Sequence, residues 1–551
     1  MNGTMILLVV IAAIAVTGLA NRGNLQGPLV LVIIGAIASF LPGLPRLELE
    51  PDVLLGVVLP PLLYSAALKF SVPTFRRYLA PILRLGIVTV LATAFAVAFF
   101  ANWLVPDLTF GAALVLGAVV APTDAVSAVA VGQKLGLPKR VISILTGEGL
   151  VNDATALTLF AVAIAMVAGT PVFADSPVLF FAYGVVGGVA VGLVLAAVVH
   201  WVRGRMFDSP LETALGLVLP FAAYLVAEEI HASGVLAVVA AGLYIGHRAT
   251  DTAVTTRLQE RFVWESVDIL LEMFVFAYMG LQLKFVLDEV ADTGLDVVPV
   301  LLYSVAVLAV VILVRPIWGF LNWGRRRAVR TAGFTRLGRD PLTYREHIVV
   351  SWAGMRGVVT LAAAGGVPAV LGSGEPFPGR ELIHLAALVV AVGTLLIQGA
   401  TMPMLIRRLD VVDPYERLRA TEQRELARTI TANAAKEEIA SLEKDPPGGF
   451  DPDAVRRILE RVRRSVKARV DARQVESEDD TEAGVDAGAL FDEFRRAVLR
   501  AQRTALIAAR DDGTLDDESL RAELESLDIE EAAAEERVER RGRTGNGTPP
   551  P

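Results

Sequence analysis

The residues best suited to chemistry sit inside apolar stretches. One stretch reads Ala121-Pro122-Thr123-Asp124-Ala125-Val126-Ser127, and another reads Gly147-Glu148-Gly149-Leu150-Val151-Asn152-Asp153-Ala154-Thr155. Arg315-Pro316 and Gly354-Met355-Arg356-Gly357 follow in the second half of the chain. In hydrocarbon an ionisable side chain is costly unless it faces a cavity or a partner. Pro122 removes an amide and disfavours helix at Ala121, which leaves carbonyls near Thr123 free beside the Asp124 carboxylate. Such backbone is tolerated at membrane depth only beside a cavity. The glycines around Arg356 weaken a second stretch in the same way. Two interrupted helices, one in each half, point to an ion or substrate site at the midplane. Oxygen donors of this kind suit a hard cation such as Na+, not a soft metal.

On an ideal helix Asp153 lies about 140° from Glu148, and Asn152 about 40° from it. Glu148 and Asp153 therefore do different work: the expectation is Asp153 in the ion cavity and Glu148 against an arginine. A carboxylate withdrawn from water holds a proton more firmly. Asp153 is then expected to carry a proton or a cation by turns, never both, which is the logic of an exchanger. Neutral Asn152 adds no second titrating carboxylate beside it. That predicts one proton per monovalent cation and no net charge moved. Asp124 is read either as a ligand or as the cap of a broken helix end that orients Asn152. Arg356 is read either as an accessory site group or as a helix-end anchor. Asp268 and Glu272 are read as interfacial or funnel charges, and the five histidines as residues at span ends.

These residues need a frame to hold them. The chain has 551 residues, 54% of them hydrophobic, with a mean hydropathy of +0.54. Residues 407–551 hold 26 basic and 34 acidic side chains, whereas residues 1–406 hold 25 of each. A single soluble globule is excluded, because so apolar a stretch could not be covered by polar surface. Cysteine is absent, which removes disulfides, thiol catalysis and Cys-ligated zinc. The acidic tail disfavours nucleic acid as a partner. With about 20 apolar residues per crossing, the sequence reads as an all-α polytopic membrane protein with thirteen spans. They fall near 4–20, 27–42, 52–68, 79–103, 110–132, 141–170, 178–204, 211–228, 232–247, 265–283, 297–323, 347–371 and 382–406. Loops after the odd-numbered spans carry 19 Lys or Arg; the opposite loops carry only Arg46, Lys284 and Arg380. The N-terminus is therefore expected outside and the C-terminus in the cytoplasm of a cell-membrane protein.

As an ordered set, five motifs resemble the monovalent cation:proton antiporter-1 family, the NhaP-type and sodium/proton exchangers. They are Leu59-Pro60-Pro61-Leu62-Leu63-Tyr64, Ala121-Pro122-Thr123-Asp124-Ala125-Val126, Gly147-Glu148-Gly149 with Asn152-Asp153-Ala154, Ser233-Gly234-Val235-Leu236-Ala237-Val238, and Gly354-Met355-Arg356-Gly357-Val358-Val359. The segment around Leu527-Asp528-Ile529-Glu530-Glu531 resembles the tail end of some bacterial members. The resemblance implies a membrane homodimer with inverted repeats and two discontinuous crossing helices. In such a fold a core (about 79–170 and 297–406) moves against dimerisation spans (about 4–68 and 178–283). It implies electroneutral exchange of Na+, or of K+ or Li+, for H+, in the service of pH homeostasis. Asp153 would carry ion and proton, Asn152 would stand beside it, Thr123 and Asp124 would line the unwound stretch, and Glu148 would pair with Arg315. No cofactor is implied. Archaeal relatives have an acidic residue where Ser65 stands, and many members have serine where Gly149 stands. Asp153, Asp124 and the Thr123 backbone are then the expected ligands, with water, and cation preference is left open.

Two rival functions fit the residues less well. His231-Ala232-Ser233-Gly234 brings to mind an intramembrane serine hydrolase, but no nucleophile, metalloprotease or phosphate-binding motif supports an enzyme. A channel would pass cations without a coupled proton, which one titrating site in a dead-end cavity argues against. In the tail, residues 407–551, helices are expected over 413–443, 452–474 and 487–510. The last carries a stripe of Phe491, Phe494, Val498, Ala501, Ala505 and Ala508. Glu476 to Glu482 is expected as an acidic loop and Thr544 to Pro551 as disordered.

Overall fold

A computed structural model describes residues 3–23, 25–42, 47, 50–106, 108–169, 176–206, 208–292, 296–331, 342–371, 374–411, 413, 416–446, 452–470 and 485–545. The chain divides into two compact units. One comprises residues 1–252 and 259–412, the other residues 253–258 and 413–551. The described regular elements are helices, apart from one isolated bridge between Val370 and Pro376.

In the first unit, nine described helices are long and apolar enough to cross a membrane, and three shorter apolar helices accompany them. Their outward side chains, Leu179, Val186, Val194, Leu302 and Leu313 among them, are large, apolar and exposed, as lipid contact requires. The span read at 110–132 is two helices, Phe110–Val120 and Ala125–Lys134. Pro122 and the cap formed by Asp124 separate them. The span read at 347–371 is also two helices, Tyr344–Trp352 and Val358–Gly365, broken at Ala353 to Gly357. A capping box of Thr343 and Glu346 starts the first of these. Glu346 also accepts from Arg140 at 2.7 Å.

One apolar cluster unites the halves of the chain that carry the broken helices. It contains Val97, Leu116, Ala163, Val307, Ala363 and Ile383. Another joins Leu59, Tyr64, Leu219, Val238 and Trp264 with Leu150 and Ala154 of the Asp153 helix. Three helices carry wide π-type stretches, at Leu54–Val58, Arg84–Thr89 and Leu395–Gly399. Such stretches recur near functional positions, and Gly86 in the second lies against Val151 and Asn152.

The second unit contains helices Glu416–Lys444, Pro452–Val470, Val485–Asp511 and Asp517–Gly545. The stripe expected on the third holds in part: of its members Phe494 and Val498 are buried and Phe491, Ala501 and Ala505 are half-buried. Leu499, Gln502 and Leu506 are buried as well, while Ala508 is exposed. The reason is size: leucines bury more apolar area than alanines and take the inner face. Within this unit Asp528 accepts from Arg257 at 2.5 Å and from Arg503 at 2.8 Å. Thr544 and Gly545 close the last helix, while 546–551 and the expected acidic loop lie outside the described residues.

At Gly117 a Cβ would run into the Ala94 carbonyl of the neighbouring helix Val90–Leu104. Gly117→Ala is expected to cost about 1–3 kcal/mol by overpacking, read as a lowered melting temperature of the purified protein in detergent.

Candidate functional site

The two interruptions cross and bond to each other. The Asp124 N–H donates to the Met355 carbonyl at 2.6 Å. The Asp124 Oδ1 accepts from the Val126 N–H at 2.9 Å, capping Ala125–Lys134. Its other oxygen would stand 2.6 Å from a Cβ at position 357, so only glycine fits there. Gly357 precedes Val358–Gly365, and one carboxylate thus meets the N-terminal ends of two half-helices. Arg356, 1% exposed, serves the opposite ends. Its Nε donates to the Val120 carbonyl at 3.0 Å and its Nη1 to the Gly354 carbonyl. Helix N-termini carry partial positive charge and C-termini partial negative charge. Asp124 and Arg356 therefore balance four ends that the breaks leave in apolar surroundings. Of its two readings Arg356 takes the helix-end anchor, fixed further by Thr394, which accepts from its N–H at 2.9 Å.

Beside the crossing lies a buried ion pair. Arg315 meets Glu148 through Nη1–Oε1 and through Nη2–Oε2 at 2.7 Å. The two side chains are 3% and 1% exposed. Arg315 Nε donates to the Val350 carbonyl at 3.0 Å, and the Thr123 hydroxyl donates to Glu148 at 2.9 Å. Both charges are thus matched and hydrogen-bonded, as burial demands.

Asn152 faces the same corner. Its Nδ2 donates to the Thr123 carbonyl at 2.5 Å and to the Thr123 hydroxyl at 3.0 Å. Its Oδ1 is buried and has no hydrogen-bond partner among the described residues. Asp153, 7% exposed, makes no hydrogen bond or ion pair among the described residues, and Asp124 is its charged neighbour. The side-chain oxygens left over are those of Asp153, the Asn152 Oδ1 and the second oxygen of Asp124. Thr123 is engaged by Glu148 and Asn152, so it shapes the corner, while its carbonyl retains one lone pair.

Other expected residues fall elsewhere. The Ser65 hydroxyl donates to Asp268 at 2.5 Å, not into the Asp153 corner, and Lys69 reaches the same Asp268 oxygen at 2.5 Å. Asp268 is therefore fixed between two donors and does not snorkel. Glu272, one turn further, is half-buried and within electrostatic reach of Asp124 and Asp268. Reading it as an interfacial charge understates it. Its spacing of four from Asp268, on one helix face, was the available signal.

The family description "Sodium/hydrogen exchanger, transmembrane" matches residues 7–408. The chain belongs to the sodium/hydrogen exchanger family. That makes it a multi-pass membrane transporter and not an enzyme. A Mycobacterium tuberculosis protein named an uncharacterized Na(+)/H(+) exchanger is 33% identical over 541 residues, covering 96% of each chain. An Escherichia coli K12 protein of similar name is 29% identical over 551 residues, covering 96% of this chain and 98% of its own. A Bacillus subtilis sodium, potassium, lithium and rubidium/H(+) antiporter is 29% identical over 443 residues, covering 77% of this exchanger and 64% of its own length. Among solved structures, the sodium proton antiporter MjNhaP1 of Methanocaldococcus jannaschii at pH 8 superposes with a TM-score of 0.57 at 21% identity. It covers 74% of this exchanger and 98% of its own chain, a likeness of fold.

In this exchanger Glu148→Gln strands the Arg315 charge and is expected to cost about 3–5 kcal/mol. The apolar double variant Glu148→Met with Arg315→Met is expected to cost less than either single change. Thermal unfolding of Glu148→Gln, of the two single methionine changes and of the double variant in detergent checks the order.

Proposed function

We propose that this protein is a secondary active transporter that exchanges Na+ for H+, with K+ and Li+ as further candidate cargoes, by alternating access. Asp153 holds the cation and the proton by turns. Asn152 presents its Oδ1 beside it, Asp124 supplies a second carboxylate, and Thr123 orients Asn152. Glu148 with Arg315 braces the corner, and Arg356 with Asp124 holds the crossing. The observation that carries this reading is the Asp153 carboxylate, buried with no hydrogen bond or ion pair among the described residues. A buried carboxylate left bare is costly, and either ion relieves it. A single such group exchanges one charge for one charge, so the cycle is electroneutral.

The spans near 79–170 and 297–406 form the moving core, and those near 4–68 and 178–283 form the dimerisation part of a homodimer embedded in lipid. Inverted repeats relate the halves of a thirteen-span domain, with the N-terminus outside and the tail in the cytoplasm of the cell membrane. The printed name of the Bacillus subtilis relative, with four alkali cations, supports testing more than one cargo. The tail tunes rate or dimer stability.

Proteoliposomes with a pH-sensitive dye test the reading. The parent is expected to move protons when Na+, K+ or Li+ is added, at a rate indifferent to an imposed membrane potential. Asp153→Asn is expected to reduce exchange to the level of empty vesicles while the protein remains folded. An active Asp153→Asn protein removes the assignment. Deleting the chain after about residue 410 is expected to change the rate, pH profile or dimer fraction; no change in any of them rejects a role for the tail.

A further inference from the structure

Helix Val254–Asp292 carries charge at separate levels. Asp268 meets Ser65 and Lys69, and Glu272 senses Asp124 at the level of the crossing. Glu289 stands about 25 Å further along, at 1.5 Å per residue. There Arg380 Nη1 donates to Glu289 Oε1 at 2.9 Å, and Arg380 Nε donates to the Val367 carbonyl at 3.0 Å. His384 Nδ1 lies 3.4 Å from the same carboxylate, and its Nε2 is buried without a hydrogen-bond partner. Arg380 opens helix Arg380–Thr394, preceded by Gly379 at φ 69°. A cation there sits at the positive end of the helix dipole. Glu289 and the Val367 carbonyl are what hold it in place.

We propose that Glu289, Arg380 and His384 form a latch that shuts one face of the transport path, on the side of the crossing away from Asp268. The inference rests on the alternating-access reading. Glu289 belongs to a helix of the dimerisation part, and Arg380 and His384 to a helix of the moving core. Sliding one past the other parts the guanidinium from the carboxylate, so the latch opens once in each cycle. Its link to the ion is short. Val367 lies two residues beyond Val358–Gly365, the two-turn helix that begins at Gly357 against Asp124. Motion at the crossing therefore reaches the Arg380 contact through about 12 Å of helix.

The chain has no cysteine, so introduced thiols report without background. In the first arm, Glu289→Cys with Arg380→Cys is bridged by a reducible bis-maleimide in proteoliposomes. Bridging is expected to slow exchange about tenfold or more, as locking one of two states requires, and reduction to restore it. In the second arm, Val367→Cys, at a position 1% exposed, is labelled with a membrane-impermeant maleimide, with and without Glu289→Gln. Adding Glu289→Gln is expected to raise labelling about fivefold as the closed state loses its lead. The charge-swapped pair Glu289→Arg with Arg380→Glu is expected to bring labelling back towards the parent. Exchange that continues at the unbridged rate after bridging, or labelling that Glu289→Gln leaves unchanged, overturns the latch. Should the parent move no protons on cation addition while labelling still rises, the latch stands and the antiport reading falls.

Discussion

The Asp153 carboxylate is buried without a hydrogen bond or ion pair among the described residues, a costly arrangement for a charge unless something neutralises it. The surroundings are arranged so that nothing fixed does. Glu148 has Arg315, bound through both oxygens. Arg356 is committed to the Val120 and Gly354 carbonyls, and Asp124 to the helix beginning at Ala125. Glu148 and Arg315 thus match each other as charges, Arg356 and Asp124 are held by main chain, and Asp153 has no such contact among the described residues. Under the proposed reading a proton or an alkali cation neutralises it, one at a time.

Bare main chain at such depth needs the same care. Pro122 prevents the first helix from continuing, and Gly357 allows the Asp124 carboxylate to press against the second. A Cβ at 357 would push that carboxylate off the two helix ends it serves. The crossing is therefore held by one main-chain bond, from Asp124 N–H to Met355, and by two oppositely charged side chains at opposite ends. That leaves the half-helices joined but not continuous, which is the condition for small changes at the ion to become shifts of short rigid segments.

Those segments lead outward. Val358–Gly365 runs from the crossing towards Val367, whose carbonyl holds Arg380, and Arg380 holds Glu289. On the other side of the crossing Asp268 ties Ser65 and Lys69, with Glu272 between it and the site. A single helix, Val254–Asp292, thus presents carboxylates below, at and beyond the level of the crossing.

From the amino-acid order alone one reads which residues are out of place: Asp124, Glu148, Asp153, Arg315 and Arg356 in apolar stretches, with Pro122 and the glycines around Arg356 marking the breaks. Helical periodicity separates Glu148 from Asp153, because angles around one helix depend only on spacing. Partners are another matter. Arg315 lies 167 residues from Glu148, and Asp268 lies 203 residues from Ser65. The packing of distant helices, not local pattern, brings such groups within hydrogen-bond reach. For the same reason Arg356 proved an anchor of two helix ends, Ser65 turned to Asp268, and Glu272 approached Asp124. In the tail the buried face keeps Phe494 and Val498 and takes Leu499 and Leu506, because leucines bury more apolar area than the alanines of the expected stripe. Sequence determined that charge would be buried and where the helices would break, since burial and backbone chemistry are local. Tertiary structure decided which partners the buried groups would find, since matching is a property of distances between segments that the chain order does not contain.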